Sequence, residues 1–161
     1  MTAPAGITLV VLDVDGVLTD GRLWFGPDGE AMKAFHVRDG HGIQMLMAAG
    51  VRVAVISGRR SAAVSARMRE LGVTDVAQGV ADKARALGEL LTRIAIDASR
   101  VACLVDDAPD LELMSAVGLP AAVADAHPDV LAAAAHVTRA AGGCGAVREF
   151  CEWLLAARGG A

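Results

Sequence analysis

Three nearly continuous apolar runs, rich in β-branched residues, alternate with helical patterns along this chain. They cover residues 7–12, 51–56 and 101–105. A strand buried on both faces has this composition because neither side of it meets water. Strands that alternate with helices form a parallel sheet covered by helices on both sides. The sequence therefore predicts an α/β fold of three layers.

Helix signals lie between and after these runs. Residues 42–49 carry a helical pattern that stops at Gly50. Ser61 is a good N-cap, and Gly72 suits the position after a helix C-terminus. Two further amphipathic stripes indicate a third helix and a C-terminal helix. Their apolar residues are Ala84, Leu87, Leu90, Leu91 and Ile94 in the first stripe, and Val147, Phe150, Cys151, Leu154 and Leu155 in the second.

One segment interrupts the alternation. Residues 21–37, with Gly26-Pro27-Asp28-Gly29 at their centre, predict a β-hairpin that forms a surface flap. A chain of 161 residues has the length of one domain. We therefore expect a single domain over residues 1–161, with a hairpin flap at 21–37, a C-terminal tail at 142–161 and no inserted cap domain.

Composition excludes several classes of function. The net charge is −4, from 15 basic and 19 acidic residues, which argues against a nucleic-acid partner. No apolar run approaches the roughly 20 residues that span a bilayer, so we expect no membrane partner. Three cysteines without a C-x-x-C pair, and a start without signal-peptide character, favour the cytoplasm.

Chemically capable side chains follow each predicted strand. Parallel strands bring their carboxyl ends to one edge of the sheet, where ligands bind. We therefore expect these residues to converge. They are Asp13 and Asp15 after the first strand, Ser57, Gly58 and Arg59 after the second, Asp106, Asp107 and Asp110 after the third, and Lys83 at the start of a helix.

Two carboxylates that follow one strand repel each other unless a cation lies between them. Oxygen ligands of this kind suit Mg²⁺. A calcium loop is the competing interpretation, but Val17 occupies the place of its third acidic ligand. The alternative without a metal makes Asp13 and Asp15 turn or capping acids.

The other candidates also have ordinary structural explanations. Lys83 could be a solvated lysine, although a cation in the first turn opposes the helix dipole. Ser57 could simply end a strand, and Gly58 could be a turn residue. Asp107 and Asp110 are also typical of a helix start.

The segment from Asp13 to Gly21 resembles the first motif of the haloacid dehalogenase superfamily of aspartate-nucleophile phosphatases. Ser57, Lys83 and the pair Asp106 and Asp110 match the second, third and fourth motifs in order. The chain is still more similar to the capless 3-deoxy-D-manno-octulosonate 8-phosphate phosphatase family. Further segments carry this closer resemblance: Asp28-Gly29-Glu30, Lys33-Ala34-Phe35, Arg38-Asp39-Gly40, Ser57-Gly58-Arg59, residues 79–83 and residues 142–149.

This resemblance implies a Rossmann-like fold and a role for each residue. Asp13 would be the nucleophile, and Asp15 the general acid and base. Mg²⁺ would be held by Asp13, the Asp15 backbone carbonyl and Asp106. Ser57 and Lys83 would bind the phosphoryl group. Asp107 and Asp110 would orient the metal site and Lys83. Gly58, Arg59 and Arg148 would contact an anionic substrate.

Val105 departs from the family pattern, which has glycine directly before the fourth-motif aspartates. Valine does not adopt a positive φ without strain. The departure puts the geometry of Asp106 in question, but it removes no ligand, so we still expect activity.

The resemblance also implies a homotetramer. Hairpins would pair between subunits and cover Leu23, Trp24, Phe25 and Phe35, and residues 142–148 of one subunit would reach the active site of another. Arg148 would then contact a substrate carboxylate; its alternative is an ion pair with Glu152 one helical turn away.

The expected activity is Mg²⁺-dependent hydrolysis of an acidic sugar phosphate in lipopolysaccharide biosynthesis. Three alternatives stay open. They are a nonulosonate 9-phosphate phosphatase, a weakly active tetramerisation module of a sugar nucleotidylyltransferase system, and a phosphomutase or phosphotransferase on the same fold.

Overall fold

A six-stranded parallel sheet forms the centre of the computed structural model, which describes residues 3–159. Its strands are β1 (Leu9–Leu12), β4 (Arg52–Ser57), β5 (Asp75–Gln78), β6 (Val101–Val105), β7 (Leu119–Ala122) and β8 (His136–Val137). The strand order is β5-β4-β1-β6-β7-β8. Two further strands, β2 (Trp24–Gly26) and β3 (Gly29–Met32), form a separate antiparallel hairpin.

Within residues 3–159, six α-helices accompany the sheet. They are α1 (Val37–Ala48), α2 (Ala62–Leu71), α3 (Lys83–Ile94), α4 (Leu111–Ser115), α5 (Pro128–Ala133) and α6 (Ala146–Gly159). Helix α1 packs on α6, and α3 packs on α4. Every residue of β1 and β6 is buried, as their apolar sequences predict. The predicted α/β fold with a parallel sheet, helices and no cap is confirmed.

Helix boundaries agree with the capping signals better than with the apolar pattern. The side chain of Ser61 accepts a hydrogen bond from the backbone N–H of Val64, and Gly72 adopts the left-handed conformation with φ of 80°. Helix α1, however, begins at Val37 rather than near Gly42, because the His36 side chain caps it. Gly40 and Gly42 lower helix propensity in its first turns and obscured this start in the sequence.

The hairpin is present but shorter than predicted. Its paired residues lie within 24–32, and Val37 already belongs to α1. Leu23, Trp24 and Phe25 are exposed as expected. Phe35 is different, because its ring packs against the core of the domain. The expectation that Phe35 belongs to the exposed hairpin surface was therefore wrong.

The C-terminal region is joined to α1. Asp39 is buried in the first turn of α1, and its Oδ1 accepts a hydrogen bond from the backbone N–H of Arg148 at 2.8 Å. Asp39 thus caps the start of α6 from another helix. Among residues 3–159, no helix is both long enough and apolar enough to cross a bilayer.

Candidate active site

Neighbouring strands bring three carboxylates together. Strands β1 and β6 run side by side with Leu12 opposite Leu104, so Asp13 and Asp106 follow them at the same edge. Asp110 lies in the turn before α4. One oxygen from each of Asp13, Asp106 and Asp110 lies within 4.8 Å of the others. We call these three residues the carboxylate cluster.

The loop after β1 is shaped for this close approach. Gly16 has a φ of 87°, and a Cβ on it would overlap the Asp106 carboxylate. The backbone N–H of Gly143 donates to the Val17 carbonyl at 2.9 Å, and a Cβ on Gly142 would overlap the Gly16 carbonyl. Glycines at these positions let the loop after β1, Asp106 and the start of the tail pack closely together.

Lys83 contributes a positive charge to the carboxylate cluster. It is the first residue of α3, which the side chain of Asp82 caps. Its Nζ lies 2.9 Å from Asp13 Oδ1 and 2.5 Å from Asp110 Oδ1. The Lys83 side chain is only 10% exposed. Its burial between two carboxylates excludes the interpretation of a solvated surface lysine.

Burial and mutual repulsion shift the pKa values of the carboxylate cluster. Burial raises the pKa of Asp106 to about 8, and the charges of Asp13 and Asp110 act in the same direction. Burial and the Asp13 charge raise the pKa of Asp110 to about 6. Burial also raises the pKa of Asp13, against the attraction of Lys83. Burial alone would lower the pKa of Lys83, but Asp13 and Asp110 raise it above its usual value.

A divalent cation fits this arrangement. If all groups are ionised, three carboxylates and one ammonium carry two excess negative charges. Within the described residues, the buried Oδ1 of Asp106 has no hydrogen-bond partner. An oxygen-rich donor set with a free, buried ligand atom is the chemistry that Mg²⁺ prefers.

Asp15 lies beside the cluster and has different partners. Its Oδ1 pairs with Lys33 Nζ, and its Oδ2 lies 3.8 Å from Arg59 Nε. Both cations are also paired with Glu30 of β3, at 3.1 Å for Lys33 and 3.7 Å for Arg59. The hairpin therefore contributes charged groups to the site within the same chain.

Ser57, Gly58 and Arg59 form the turn after β4. Ser57 is buried, and its Oγ accepts a hydrogen bond from the Arg59 backbone N–H at 3.4 Å. The Val80 N–H donates to the Ser57 carbonyl at 3.1 Å, and the Gly79 N–H donates to the Arg59 carbonyl at 3.2 Å. These bonds fix the turn at the same sheet edge as Asp13.

Asp107 and Arg148 are placed outside the carboxylate cluster. Asp107 is exposed and caps the turn before α4 through a bond from the Ala108 N–H. The guanidinium of Arg148 pairs with Glu152 at 2.6 Å, one turn along α6. Within one chain, Arg148 therefore makes the surface ion pair that the sequence offered as the alternative to substrate binding.

Val105 is accommodated without backbone strain. It is the last residue of β6, is fully buried and lies opposite Ala122 of β7. Among residues 3–159, the one non-glycine with a positive φ is Ala95, so Val105 needs no strained conformation. The Asp106 carbonyl also accepts a bond from the His127 N–H at 2.7 Å, which holds the backbone there.

The sequence analysis missed Lys33 and Glu30 as site residues, although both belong to segments that carry the family resemblance. A compositional signal was present. Of the 15 basic residues, Lys33 and Lys83 are the only lysines, and the other 13 are arginines. Both lysines are buried at this site. Because the chain uses arginine elsewhere, the two lysines indicate that the compact charge of an ammonium group is needed at these two positions.

Comparisons with known proteins identify the family of this chain. Residues 72–149 match the family model of haloacid dehalogenase-like hydrolases. The chain is 47% identical over 159 residues to 3-deoxy-D-manno-octulosonate 8-phosphate phosphatase KdsC from Escherichia coli BL21-DE3, covering 99% of this chain and 85% of the relative. The KdsC protein of Yersinia pestis is 47% identical over 154 residues, covering 96% and 82%.

The chain belongs to the 3-deoxy-D-manno-octulosonate 8-phosphate phosphatase family. The solved Yersinia pestis phosphatase of this family superposes with a TM-score of 0.95 at 46% identity, covering 98% of this chain and 85% of that one. The enzyme from Moraxella catarrhalis, solved with a magnesium ion, a phosphate ion and a KDO molecule, gives a TM-score of 0.94 at 39% identity, covering 98% and 90%. The resemblance drawn from the motifs is therefore confirmed.

The crowded carboxylates of this phosphatase family member predict a pH-dependent stability. Asp106 keeps its proton up to about pH 8 when folded, whereas an unfolded chain releases it near its ordinary value of 3.8. Between these values the folded chain binds more protons, so stability falls as the pH rises, by at most about 1.4 kcal/mol per pH unit for one proton. We expect urea unfolding in chelator to show this decline from pH 5 to pH 8.

The variant Asp106→Asn should show a shallower decline. Asp28→Asn removes an exposed carboxylate in the hairpin turn, which is not among the charges that raise the pKa of Asp106, and serves as the control, with the wild-type slope expected. Identical slopes for wild type and Asp106→Asn would contradict the assignment of the raised pKa.

Proposed function

We propose that this chain is a Mg²⁺-dependent phosphatase that hydrolyses 3-deoxy-D-manno-octulosonate 8-phosphate to the free sugar acid and phosphate. One observation carries the proposal: Asp13, Asp106 and Asp110 crowd around one point with Lys83 among them. Phosphoryl transfer depends mainly on positioning and on charge stabilisation, and this arrangement provides both. The family's named activity supports the choice of substrate.

In the first step, an Asp13 oxygen attacks phosphorus and forms an acyl phosphate. The bond from phosphorus to the sugar oxygen breaks, and Asp15 gives that oxygen a proton. Lys83 and Ser57 hold the non-bridging oxygens as their charge is redistributed. Because Lys83 also contacts Asp13 at 2.9 Å, its ammonium holds the nucleophile and the phosphoryl group close to each other.

In the second step, Asp15 takes a proton from water, and that water attacks the same phosphorus atom. The bond from phosphorus to the Asp13 oxygen breaks, which releases phosphate and restores the carboxylate. Asp110 keeps Lys83 in place through its 2.5 Å contact. Asp107 caps the adjacent turn and keeps Asp106 and Asp110 in their relative positions.

Asp13, Asp106 and the backbone carbonyl of Asp15 would hold Mg²⁺. The ion supplies positive charge that offsets the repulsion between the Asp13 carboxylate and the phosphate dianion.

Gly58 and Arg59 are proposed to contact the anionic substrate where the turn after β4 faces the site. Arg148 is proposed to do so from a neighbouring subunit. Its exposed pair with Glu152 is worth only about 0.3–0.5 kcal/mol, so a bidentate contact with a substrate carboxylate can replace it. A cytoplasmic location is supported by three free cysteines, of which Cys103 and Cys151 are buried.

The activity is tested with a panel of sugar phosphates at fixed Mg²⁺. We expect the octulosonate 8-phosphate to be hydrolysed with the highest kcat/KM, and Asp13→Asn to lose at least roughly 10³-fold in kcat, as expected for removal of a nucleophile. Arg85→Gln, which changes an exposed ion pair on α3, is the control with wild-type activity. Preference for a nonulosonate 9-phosphate would reassign the substrate. Absence of metal-dependent phosphate release would favour an assembly module.

A homotetramer is proposed from the exposed hairpin. Trp24 is 53% exposed, Phe25 64% and Met32 59%, so together they form an apolar surface of the kind that marks an interface. We expect sedimentation analysis to show tetramers for the wild type and smaller species for Phe25→Glu. A monomeric wild-type protein at micromolar concentration would contradict the proposal.

A further inference from the structure

Lys33 is a buried cation that the mechanism above does not use. Its side chain is 1% exposed, although it follows directly after β3 in a hairpin that is largely exposed. Its ammonium contacts Asp15 Oδ1 and lies 3.1 Å from Glu30 Oε2. Burying an ammonium is costly unless charged partners surround it. The fold therefore keeps Lys33 at this point because it has two carboxylate partners.

Glu30 anchors Lys33 to the body of the domain. A Glu30 oxygen accepts a hydrogen bond from the Ser61 hydroxyl at 2.5 Å, and Ser61 is the N-cap of α2. Although burial acts to raise the pKa of Glu30, the bonds from Ser61 and Lys33 lower it, so Glu30 stays ionised. A continuous path thus runs from Asp15 through Lys33 and Glu30 to Ser61.

This path is separate from the carboxylate cluster. Lys33 and Arg59 each contact both Asp15 and Glu30. Lys83 pairs instead with Asp13 and Asp110. The two lysines therefore contact different carboxylates: Lys83 contacts the nucleophile Asp13, and Lys33 contacts the neighbouring carboxyl of Asp15.

We propose that Lys33 is a positioning residue that holds the Asp15 carboxyl in place for proton transfer to the leaving oxygen of the substrate. The inference rests on the proposed function in one respect, the role of Asp15 as general acid. Lys33 itself forms no bond to the substrate. The hairpin thereby acts within its own subunit, in addition to the role in assembly proposed for its exposed side chains.

The proposal predicts a dependence on the leaving group. A sugar alkoxide leaves only with a proton, whereas p-nitrophenolate leaves without one. General acid catalysis contributes typically about 10²–10⁴-fold. We expect Lys33→Met to lower kcat/KM for the sugar phosphate about 10²-fold and for p-nitrophenyl phosphate less than about fivefold. The ratio kcat/KM is the proper measure because it reports the steps up to phosphorylation of Asp13.

Two further variants separate positioning from general damage. Asp15→Asn should show the same selectivity, and adding Lys33→Met to it should cost little more, since both changes remove one function. Glu30→Gln keeps the shape of the anchor but weakens its hold on Lys33. It should give a smaller loss with the same selectivity, and it tests the proposal if Lys33→Met does not fold.

Equal losses on both substrates, or losses that multiply in the double variant, would overturn the role of Lys33. Circular dichroism and sedimentation of each variant identify loss of fold or assembly. Failure of the substrate assignment is distinguished by the wild-type protein, which would then not hydrolyse the sugar phosphate. In that case the role of Lys33 is tested by comparing glycerol phosphate with p-nitrophenyl phosphate.

Discussion

Repulsion among Asp13, Asp106 and Asp110 is the constraint on which the rest of the site depends. These carboxylates lie within 4.8 Å of one another in a largely buried position. Such a group is stable only when protons or cations balance it. Lys83 supplies one positive charge, but burial, together with the negative charge of Asp13, still raises the pKa of Asp106 and of Asp110. The same excess of negative charge that destabilises the metal-free fold favours binding of a divalent cation.

The surrounding structure serves to keep this repulsive arrangement in place. Strands β1 and β6 are fully buried neighbours, so their carboxyl ends have no freedom to move apart. Gly16 lets the loop after β1 pass beneath Asp106, and the tail at Gly143 is bonded to that loop. Asp39 joins the tail helix to α1. Stability from the apolar sheet thus offsets the cost of the charged edge.

A domain without a cap must organise the leaving-group side of its site in another way. Here the hairpin places Lys33 and Glu30 beside Asp15, while its apolar side chains Trp24 and Phe25 stay exposed. One short element therefore carries both buried charged side chains and exposed apolar ones. A segment of few residues can thus contribute to the site and still leave an apolar surface exposed.

The sequence predicted the parts of this structure that depend on local signals. The apolar runs of β1, β4 and β6, the caps of α2, and the convergence of strand ends follow from local sequence and the rule for parallel sheets. Strands β5, β7 and β8 were not predicted. Both β5 and β7 contain residues of low strand propensity, namely Asp75 and Gln78 in β5, and Pro120 with two alanines in β7. Pairing with neighbouring strands stabilises these two strands instead.

Roles that depend on contacts between residues far apart in the sequence could not be predicted from the sequence pattern either. Lys33 meets Asp15 across 18 residues, and Ser61 meets Glu30 across 31. No periodicity records such pairs.

Trapping the phosphorylated enzyme tests the central claim most directly. Protein mixed with ³²P-labelled substrate and quenched in acid should carry label on the peptide that contains Asp13. The label should be released by hydroxylamine, should require Mg²⁺ and should be absent from Asp13→Asn. Label on another residue, or rapid phosphate release from Asp13→Asn, would contradict a reaction built on this carboxylate cluster.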